Sequence, residues 1–270
     1  AYKNAIELVK ILLKYHNLNF KEWNIDSKII KKNKKNVVDR GNKEVQKWNS
    51  KLNKAIKDKE FRELWNTLVS SIDYEKLFAS IKIKENNLAT RVYLKTFLQS
   101  IKDFNPFVIA TCADLVSSTN VAITEETILE NGQSLPIGIR EFAMGAIING
   151  ISLYATGAKA IGGTFLVFAD YIKSAIRLGA LMKTPSIYAF THDSYLVGGD
   201  GPTHQPYDQL PMLRAIENVN VYRPADEEEL RYALIAAFNS FTYSSAIILS
   251  RQNIKSLNST IKYSDIEKGV

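Results

Sequence analysis

From Asn87 onward, short apolar runs alternate with amphipathic segments of helical period. Each run has about the length of a buried strand. The predicted strands are Phe107–Thr111, Phe165–Phe168, Ser186–Phe190, Val219–Tyr222 and Ala246–Leu249. The predicted helices are Thr90–Lys102, Arg140–Tyr154, Tyr171–Met182 and Asp226–Phe241. This alternation predicts an α/β fold in which a mostly parallel sheet carries helices on both faces.

Polar residues concentrate directly after the predicted strands. In a parallel sheet the carboxyl ends of the strands meet at one rim, and ligands bind there. We therefore expect the loops after Thr111, Phe168, Phe190 and Ser250 to converge on a single site.

The first 86 residues have a different pattern. Apolar residues at helical spacing predict helices at Ala5–Tyr15 and Val45–Ile56, with exposed connections at Lys31–Asn36 and Lys82–Asn87. We interpret residues 1–86 as a helical connector that precedes the α/β domain.

The net charge of +7 comes from this connector, which has 20 Lys and Arg against 11 Asp and Glu, while the remainder has 15 against 17. The run Lys31-Lys32-Asn33-Lys34-Lys35 has no interleaved aromatic or glycine residues, which favours solvated helix faces over nucleic-acid binding. Apolar runs such as Ala233–Phe238 are too short to span a bilayer. A single cysteine, Cys112, and the lack of a signal-peptide pattern predict a cytoplasmic protein without membrane contact.

The densest group of polar residues is the loop Thr191–Pro206, which contains His192, His204, Asp193 and Asp200. A loop rich in Gly and Pro that carries so many titratable groups is typical of a functional site. It could also be an ordered connection whose side chains bind the backbone. A metal site is the third interpretation, although the loop lacks an i,i+4 histidine pair and a second cysteine.

Glu141 opens a helix that is otherwise rich in Ala, Gly, Met and Ile. A glutamate in the first turn of a helix can simply complement the helix dipole. If its carboxyl is buried, however, it can share a proton with a bound heterocycle.

Two further groups have weaker signals. Phe165, Phe168 and Tyr171 follow Gly162-Gly163-Thr164 and could form one wall of a flat slot, or be ordinary core. Arg91, Ser118 and Arg251 form the second group, with Arg91 near a predicted helix start and Arg251 at a predicted strand end. Arginine suits bidentate phosphate contact, but the two arginines could instead form surface ion pairs.

Taken together, the segments from Ala89 to Asn253 resemble the pyrimidine-binding domain of transketolases. The most specific block is Thr-His-Asp-Ser at 191–194 followed by Asp-Gly-Pro-Thr-His-Gln-Pro at 200–206. Supporting blocks are Gly-Ile-Arg-Glu at 138–141, Gly-Gly-Thr-Phe at 162–165, Arg-Pro-Ala-Asp at 223–226 and Ser-Arg-Gln-Asn at 250–253. Lys47-Trp48-Asn49 is similar to the stretch that joins the two thiamine-binding domains of that family.

The resemblance implies transfer of a two-carbon ketol unit from a ketose phosphate to an aldose phosphate with thiamine diphosphate. It implies that Glu141 bonds ring nitrogen N1′ of the aminopyrimidine and promotes its imino tautomer. The catalytic residues would be Glu141, His192 and His204, and the cofactor contacts Glu141, Asp114, Phe165, Phe168 and Tyr171. The substrate contacts would be Arg91, Ser118, His192, Asp200, His204 and Arg251.

The resemblance also implies a homodimer in which a diphosphate-binding domain of the other subunit completes the site. That domain would bind the Mg or Ca ion, because no Gly-Asp-Gly…Asn block occurs here at the family's spacing. We expect no metal ligand in this chain. The expected organisation is a connector at 1–86, a pyrimidine-binding domain at 87–262 and the start of a linker at 263–270. Such a fragment is expected to be inactive alone.

The sequence departs from the family pattern in three places. Gly199 replaces an acidic residue, Val116-Ser117 replaces a Thr-Pro pair, and Phe142 occupies a position that is His in some members. Two alternatives stay open. One is a thiamine enzyme similar to 1-deoxyxylulose-5-phosphate synthase, and the other is a non-catalytic interaction module on the same fold.

Overall fold

The computed structural model describes residues 2–15, 26–83, 85–257 and 262–267. The chain divides into two compact units, Ala1–Arg62 and Glu63–Val270. In the described ranges, no helix has both the length and the apolar character that crossing a lipid bilayer requires.

The first unit is helical. It contains α1 (Tyr2–Tyr15), α2 (Ser27–Asn33), a π-helical stretch (Lys34–Asp39) and α3 (Arg40–Ala55), so both helices predicted there are confirmed. The stretch Lys31–Asn36 is exposed as predicted, but it is helical, so its prediction as a connection was wrong. Asp26 caps α2 by accepting a 2.7 Å hydrogen bond from the backbone N–H of Lys28. Because lysine favours helices and this segment has no apolar stripe, apolar periodicity could not reveal it.

The second unit is built on the α/β pattern. After α4 (Lys59–Val69), which contains the division between the units, its helices are α5 (Glu75–Ser80), α6 (Thr90–Gln99), α7 (Val116–Thr119), α8 (Glu141–Tyr154), α9 (Ala169–Leu181), α10 (Gln209–Arg214), α11 (Glu227–Asn239) and α12 (Tyr263–Glu267). Its strands are β1 (Val108–Cys112), β2 (Ser134–Pro136), β3 (Lys159–Phe165), β4 (Ile187–Thr191), β5 (Val219–Tyr222) and β6 (Ser244–Ile248).

All strand pairs are parallel, and the order in the sheet is β2-β1-β3-β4-β6-β5. Alternate residues of each strand face opposite sides, so Ile187 and Ala189 join one core while Tyr188 and Phe190 join the other. The first core packs α5, α6 and α11 on the sheet, and the second packs α8, α9 and α10. The predicted α/β fold is thereby confirmed.

Two details of the sheet differ from the prediction. The strand predicted at Phe165–Phe168 is wrong, since β3 ends at Phe165 and Leu166–Phe168 form a 3-10 turn. Gly162 and Gly163 interrupt the apolar run of β3, so a hydrophobicity pattern does not reveal this strand. Close packing against the sheet requires both glycines. A Cβ on Gly162 would overlap Ile148 of α8, and one on Gly163 would lie 2.6 Å from Val121. Strand β2 was not predicted, because it is short and ends in proline at the sheet edge.

Residues 63–83 pack into the second unit. Tyr74 and Phe78 are buried in the first core, where the ring centroids of Tyr74 and Phe238 lie 4.9 Å apart. The described residues of the predicted connection Lys82–Asn87 form neither helix nor strand, and Lys84 lies outside them. The predicted boundaries at 86/87 and 262/263 remain predictions, and residues 268–270 of the last segment lie outside the described part.

Candidate functional site

A cavity of about 520 Å³ opens at the carboxyl end of the sheet. Residues that follow β1, β2, β3 and β4 line it: Ala113, Asp114, Leu115, Ile139, Glu141, Phe168, Tyr171 and His204. Five predicted site residues therefore share one cavity. Of the loops expected to converge, those after Thr111, Phe168 and Phe190 reach this cavity, and the loop after Ser250 brings Arg251 near His192.

Glu141 is the first residue of α8 and is only 7% exposed. Its carboxyl has no hydrogen-bond partner within the described ranges, although it lies at a helix N-terminus that favours negative charge. The burial on which its functional interpretation depended is thus present. A buried carboxyl at a cavity wall can bond a polar atom of a bound molecule.

Three aromatic rings follow one another beside the cavity. The rings of Phe165 and Phe168 are 5.8 Å apart and within 8° of parallel, and Phe168 lies 5.9 Å from Tyr171. The 3-10 turn at Leu166–Phe168 explains this arrangement, because residues three apart eclipse one another in that geometry. Phe165 is buried beneath, while Tyr171 is 64% exposed. The rings form a flat apolar wall that suits a planar ligand.

His192 lies directly after β4 and connects this wall to a group of cations. Its ring stacks on Phe165 with centroids 3.7 Å apart, because Phe165 and Thr191 are paired across β3 and β4. Burial and the nearby Arg91 lower the pKa of His192 to about 4, with Arg251 and His204 acting in the same direction and Asp200 opposing them. His192 is therefore neutral at pH 7.

Arg91 and Arg251 lie beside each other near His192. Arg91 donates to the backbone oxygens of Ser118 and, at 3.4 Å, of Arg251. Burial and the Arg251 charge lower the pKa of Arg91, yet a guanidinium stays protonated at neutral pH. No carboxylate forms an ion pair with either arginine in the part of the chain that the structure describes. Two unpaired cations this close create a positive potential that suits an anion.

The loop after β4 brings the remaining predicted residues to the same rim. Gly201 (φ +78°) leads into a 3-10 turn, Pro202–His204, which presents His204 edge-on to Phe168 at 5.4 Å. Asp200 is exposed, and its charge acts on the pKa of His192. Among the described residues, no group of three or more His, Cys, Asp or Glu side chains could hold a metal ion.

Sequence reasoning did not single out Thr191, Thr203 or Arg223. Both threonines bond the histidine that follows them, with Oγ1 to Nδ1 distances of 2.9 Å at His192 and 2.8 Å at His204. Arg223 binds Asp193 through Nη2 at 2.9 Å and Nε at 3.2 Å. The repeated Thr-His pair was visible in the sequence, whereas the Arg223 contact joins residues thirty positions apart.

The comparisons with known proteins agree with this geometry. The family model "Transketolase, pyrimidine binding domain" matches residues 86–256. The transketolases of Mycoplasma genitalium and Mycoplasma pneumoniae are 42% and 44% identical over 94% and 87% of the chain. A solved Pichia stipitis transketolase, described as a complex with xylulose 5-phosphate, superposes with a TM-score of 0.84 at 29% identity, covering 96% of this chain and 40% of that one.

The chain therefore belongs to the transketolase family, through its pyrimidine-binding domain. It spans 40% of the Mycoplasma genitalium relative and 37% of the Mycoplasma pneumoniae relative.

Proposed function

We propose that this chain supplies half of a transketolase active site. That half would hold the aminopyrimidine ring of thiamine diphosphate and the phosphate end of a sugar phosphate. The observation that carries the proposal is the buried carboxyl of Glu141 in a cavity walled by Phe168 and Tyr171. When bound, the cofactor would supply a carbon nucleophile and an electron sink for ketol transfer.

The cavity fits the aminopyrimidine in shape and in polarity. Phe168, supported from beneath by Phe165 and extended by Tyr171, offers an apolar face to a planar ring. Glu141 has no partner among the described residues, so its carboxyl is available to hold a proton at a ring nitrogen. Asp114 also lines the cavity and would set its polarity. These residues would orient the ring and exclude water from it.

The cation group fits the phosphate of a sugar substrate. Arg91 and Arg251 would bind the phosphate oxygens, and Ser118 already positions Arg91 through its backbone oxygen. His204 lines the ring cavity, and the charges of His204 and Asp200 act on His192 beside the arginines. Both would contact the substrate hydroxyls and move protons. The Pichia stipitis relative described as a xylulose 5-phosphate complex supports a ketose phosphate as substrate.

We infer that a diphosphate-binding domain outside these 270 residues completes the site and binds the Mg or Ca ion. The relatives are more than twice as long as this chain, and the described residues offer no metal-binding group. By analogy with the family, the protein would form a homodimer and would act in the pentose phosphate pathway in the cytoplasm. The chain alone is expected to bind thiamine diphosphate weakly and to turn over no substrate.

The test is ketol transfer by the full-length parent protein. With thiamine diphosphate and Mg²⁺, we expect turnover of xylulose 5-phosphate with an aldose phosphate acceptor and none with pyruvate as donor. Turnover of pyruvate instead would indicate the 1-deoxyxylulose-5-phosphate synthase alternative, and no turnover of either would favour an interaction module. Ketol transfer by the isolated 270-residue chain would contradict the half-site proposal.

A further inference from the structure

Thr191 and His192 make a hydrogen bond that an ordinary strand does not allow. Neighbouring side chains of a strand point to opposite faces, so their ends lie far apart. Here Oγ1 of Thr191 and Nδ1 of His192 are 2.9 Å apart. The backbone of His192 is left-handed, with φ +59°, which ends the alternation immediately after β4. A non-glycine residue seldom adopts this conformation, and where it does the local structure requires it.

The burial of Thr191 decides which atom donates. The residue is 0% exposed, and its hydroxyl has no other hydrogen bond to the residues that the structure describes. If Nδ1 carried the proton, it would donate to Oγ1 and leave the buried hydroxyl hydrogen without an acceptor. If the hydroxyl donates to Nδ1, its hydrogen is satisfied. The second arrangement is favoured, since an unsatisfied buried donor is costly.

We propose that Thr191 is a positioning residue whose hydroxyl donates to Nδ1 of His192 and thereby holds the proton of the neutral imidazole on Nε2. The role of this tautomer at the substrate rests on the function proposed above. The tautomer itself follows from the contacts of this chain.

The consequence is a specific donor at the anion site. With Nδ1 occupied by Thr191, the opposite edge of the ring presents an N–H that can donate to a phosphate oxygen but cannot accept a proton. His192 would therefore add a third donor beside Arg91 and Arg251 without adding a third charge. A third positive charge there would be repelled whenever the anion is absent.

Thr203 and His204 provide an internal comparison. Their Oγ1 to Nδ1 distance of 2.8 Å is similar, but Thr203 is exposed. Water can satisfy either arrangement of an exposed hydroxyl, so no single tautomer is required at His204. The two pairs therefore differ in the burial of the threonine and not in its contact.

Nitrogen NMR of the ¹⁵N-histidine-labelled 270-residue chain tests the proposal. The chain has three histidines, and His16→Gln and His204→Gln variants assign their signals. We expect Nδ1 of His192 to appear as the unprotonated nitrogen and Nε2 as the protonated one at neutral pH. In Thr191→Val the population ratio of the two tautomers should fall about fivefold, the ratio that one hydrogen bond of about 1 kcal/mol sustains. Thr191→Ser should restore it.

Thr164→Val is the matched control. Thr164 is also a wholly buried strand threonine, and its hydroxyl has no partner among the described residues. Its replacement should leave the His192 signals unchanged. A protonated Nδ1 in the wild-type chain would overturn the proposal even if every variant failed to fold, and so would an unchanged ratio in a folded Thr191→Val chain. No cofactor or substrate is present, so this result is independent of the ketol-transfer test.

Discussion

Polar groups at the two ends of the sheet differ in whether they have bonding partners within the chain. At the amino end, Asn105 donates to the Tyr74 hydroxyl at 2.7 Å and to the Gly157 oxygen at 2.9 Å, and Lys159 donates to the Ser240 oxygen at 2.6 Å. At the carboxyl end, the buried Glu141 and the exposed Arg251 have no partner of opposite charge in the described part of the chain. The bonded groups named at the amino end stabilise the fold, whereas the end with unpaired charges is suited to bind a ligand.

Two buried bases show the same contrast. Burial lowers the pKa of Lys159 to about 8, and its partner is a backbone oxygen at the C-terminal end of α11. Burial and two arginines lower the pKa of His192 to about 4. A perturbed pKa alone therefore does not identify a functional residue. The neighbours of the group identify it. The unpaired cations beside His192 suit an anion, whereas the backbone oxygen beside Lys159 already accepts its hydrogen bond.

The largest expected effect is at the carboxyl end. In the full-length protein, Glu141→Ala should lower kcat for ketol transfer on the order of 10²–10⁴, the usual contribution of a proton-transfer group. The melting temperature should change little, because this carboxyl has no partner among the described residues to lose. Glu217→Ala removes an exposed glutamate near the amino end of β5 and serves as the control. Full activity of Glu141→Ala would remove the distinction between the two ends.

Lys159 should make stability depend on pH in a defined window. Its folded pKa, about 8, lies below the ordinary 10.5, so unfolding takes up a proton between these values. Lys159 should therefore contribute a rise of about 3 kcal/mol to the free energy of unfolding across the window, and buried Cys112 and Tyr74, whose pKa values are raised, oppose it in part. Urea unfolding of Lys159→Met should lack this rise, and exposed Lys173→Met should retain it. A wild-type curve that matches Lys159→Met would mean that Lys159 is not buried as described.

Asn105→Ala should destabilise the fold without affecting chemistry. The substitution removes three hydrogen bonds and leaves the Tyr74 hydroxyl and the Gly157 oxygen buried without that partner. We expect a loss of about 2 kcal/mol in denaturant unfolding and an unchanged kcat per folded molecule. Exposed Asn220→Ala is the control, with a change below about 0.5 kcal/mol. A reduced kcat for folded Asn105→Ala would show that the amino end also contributes to function.

The smallest effect is expected at Gly199, where the family pattern has an acidic residue. A Cβ at Gly199 meets no atom within 4 Å. Gly199→Asp should therefore change the free energy of unfolding by less than about 0.5 kcal/mol. The added charge next to Asp200 should raise the pKa of His192, measured by NMR titration. A large loss of stability would show that the loop needs glycine at this position.

Sequence patterns predicted the sheet but not all of its parts. Strands with large apolar residues, such as Val219–Tyr222, were predicted with their observed ends. Strand β3 was misplaced because its middle is Gly162-Gly163, whose role is close packing and not hydrophobic burial. The helix at Lys31–Asn36 was not predicted because all of its faces are exposed. Patterns of hydrophobicity detect burial, and these segments fold for other reasons.

The candidate site was predictable as a set of residues but not as an arrangement. Ordered motifs pointed to Glu141 and His192, and the parallel sheet explains why their loops meet. The stacking of His192 on Phe165 depends on strand register, which the sequence does not reveal. The hydroxyl of Thr191 gains its importance from a left-handed residue and from complete burial, and both are tertiary properties.

The lack of a side chain at Gly162 lets α8 pack closely on β3. Because this position has only hydrogen, Ile148 fills the space that a methyl group would need. Glu141 begins that same helix, so the position of its carboxyl at the cavity depends on a contact two turns away, outside the cavity lining. Even alanine at Gly162 would push α8 away from β3 and move the carboxyl of Glu141 with it.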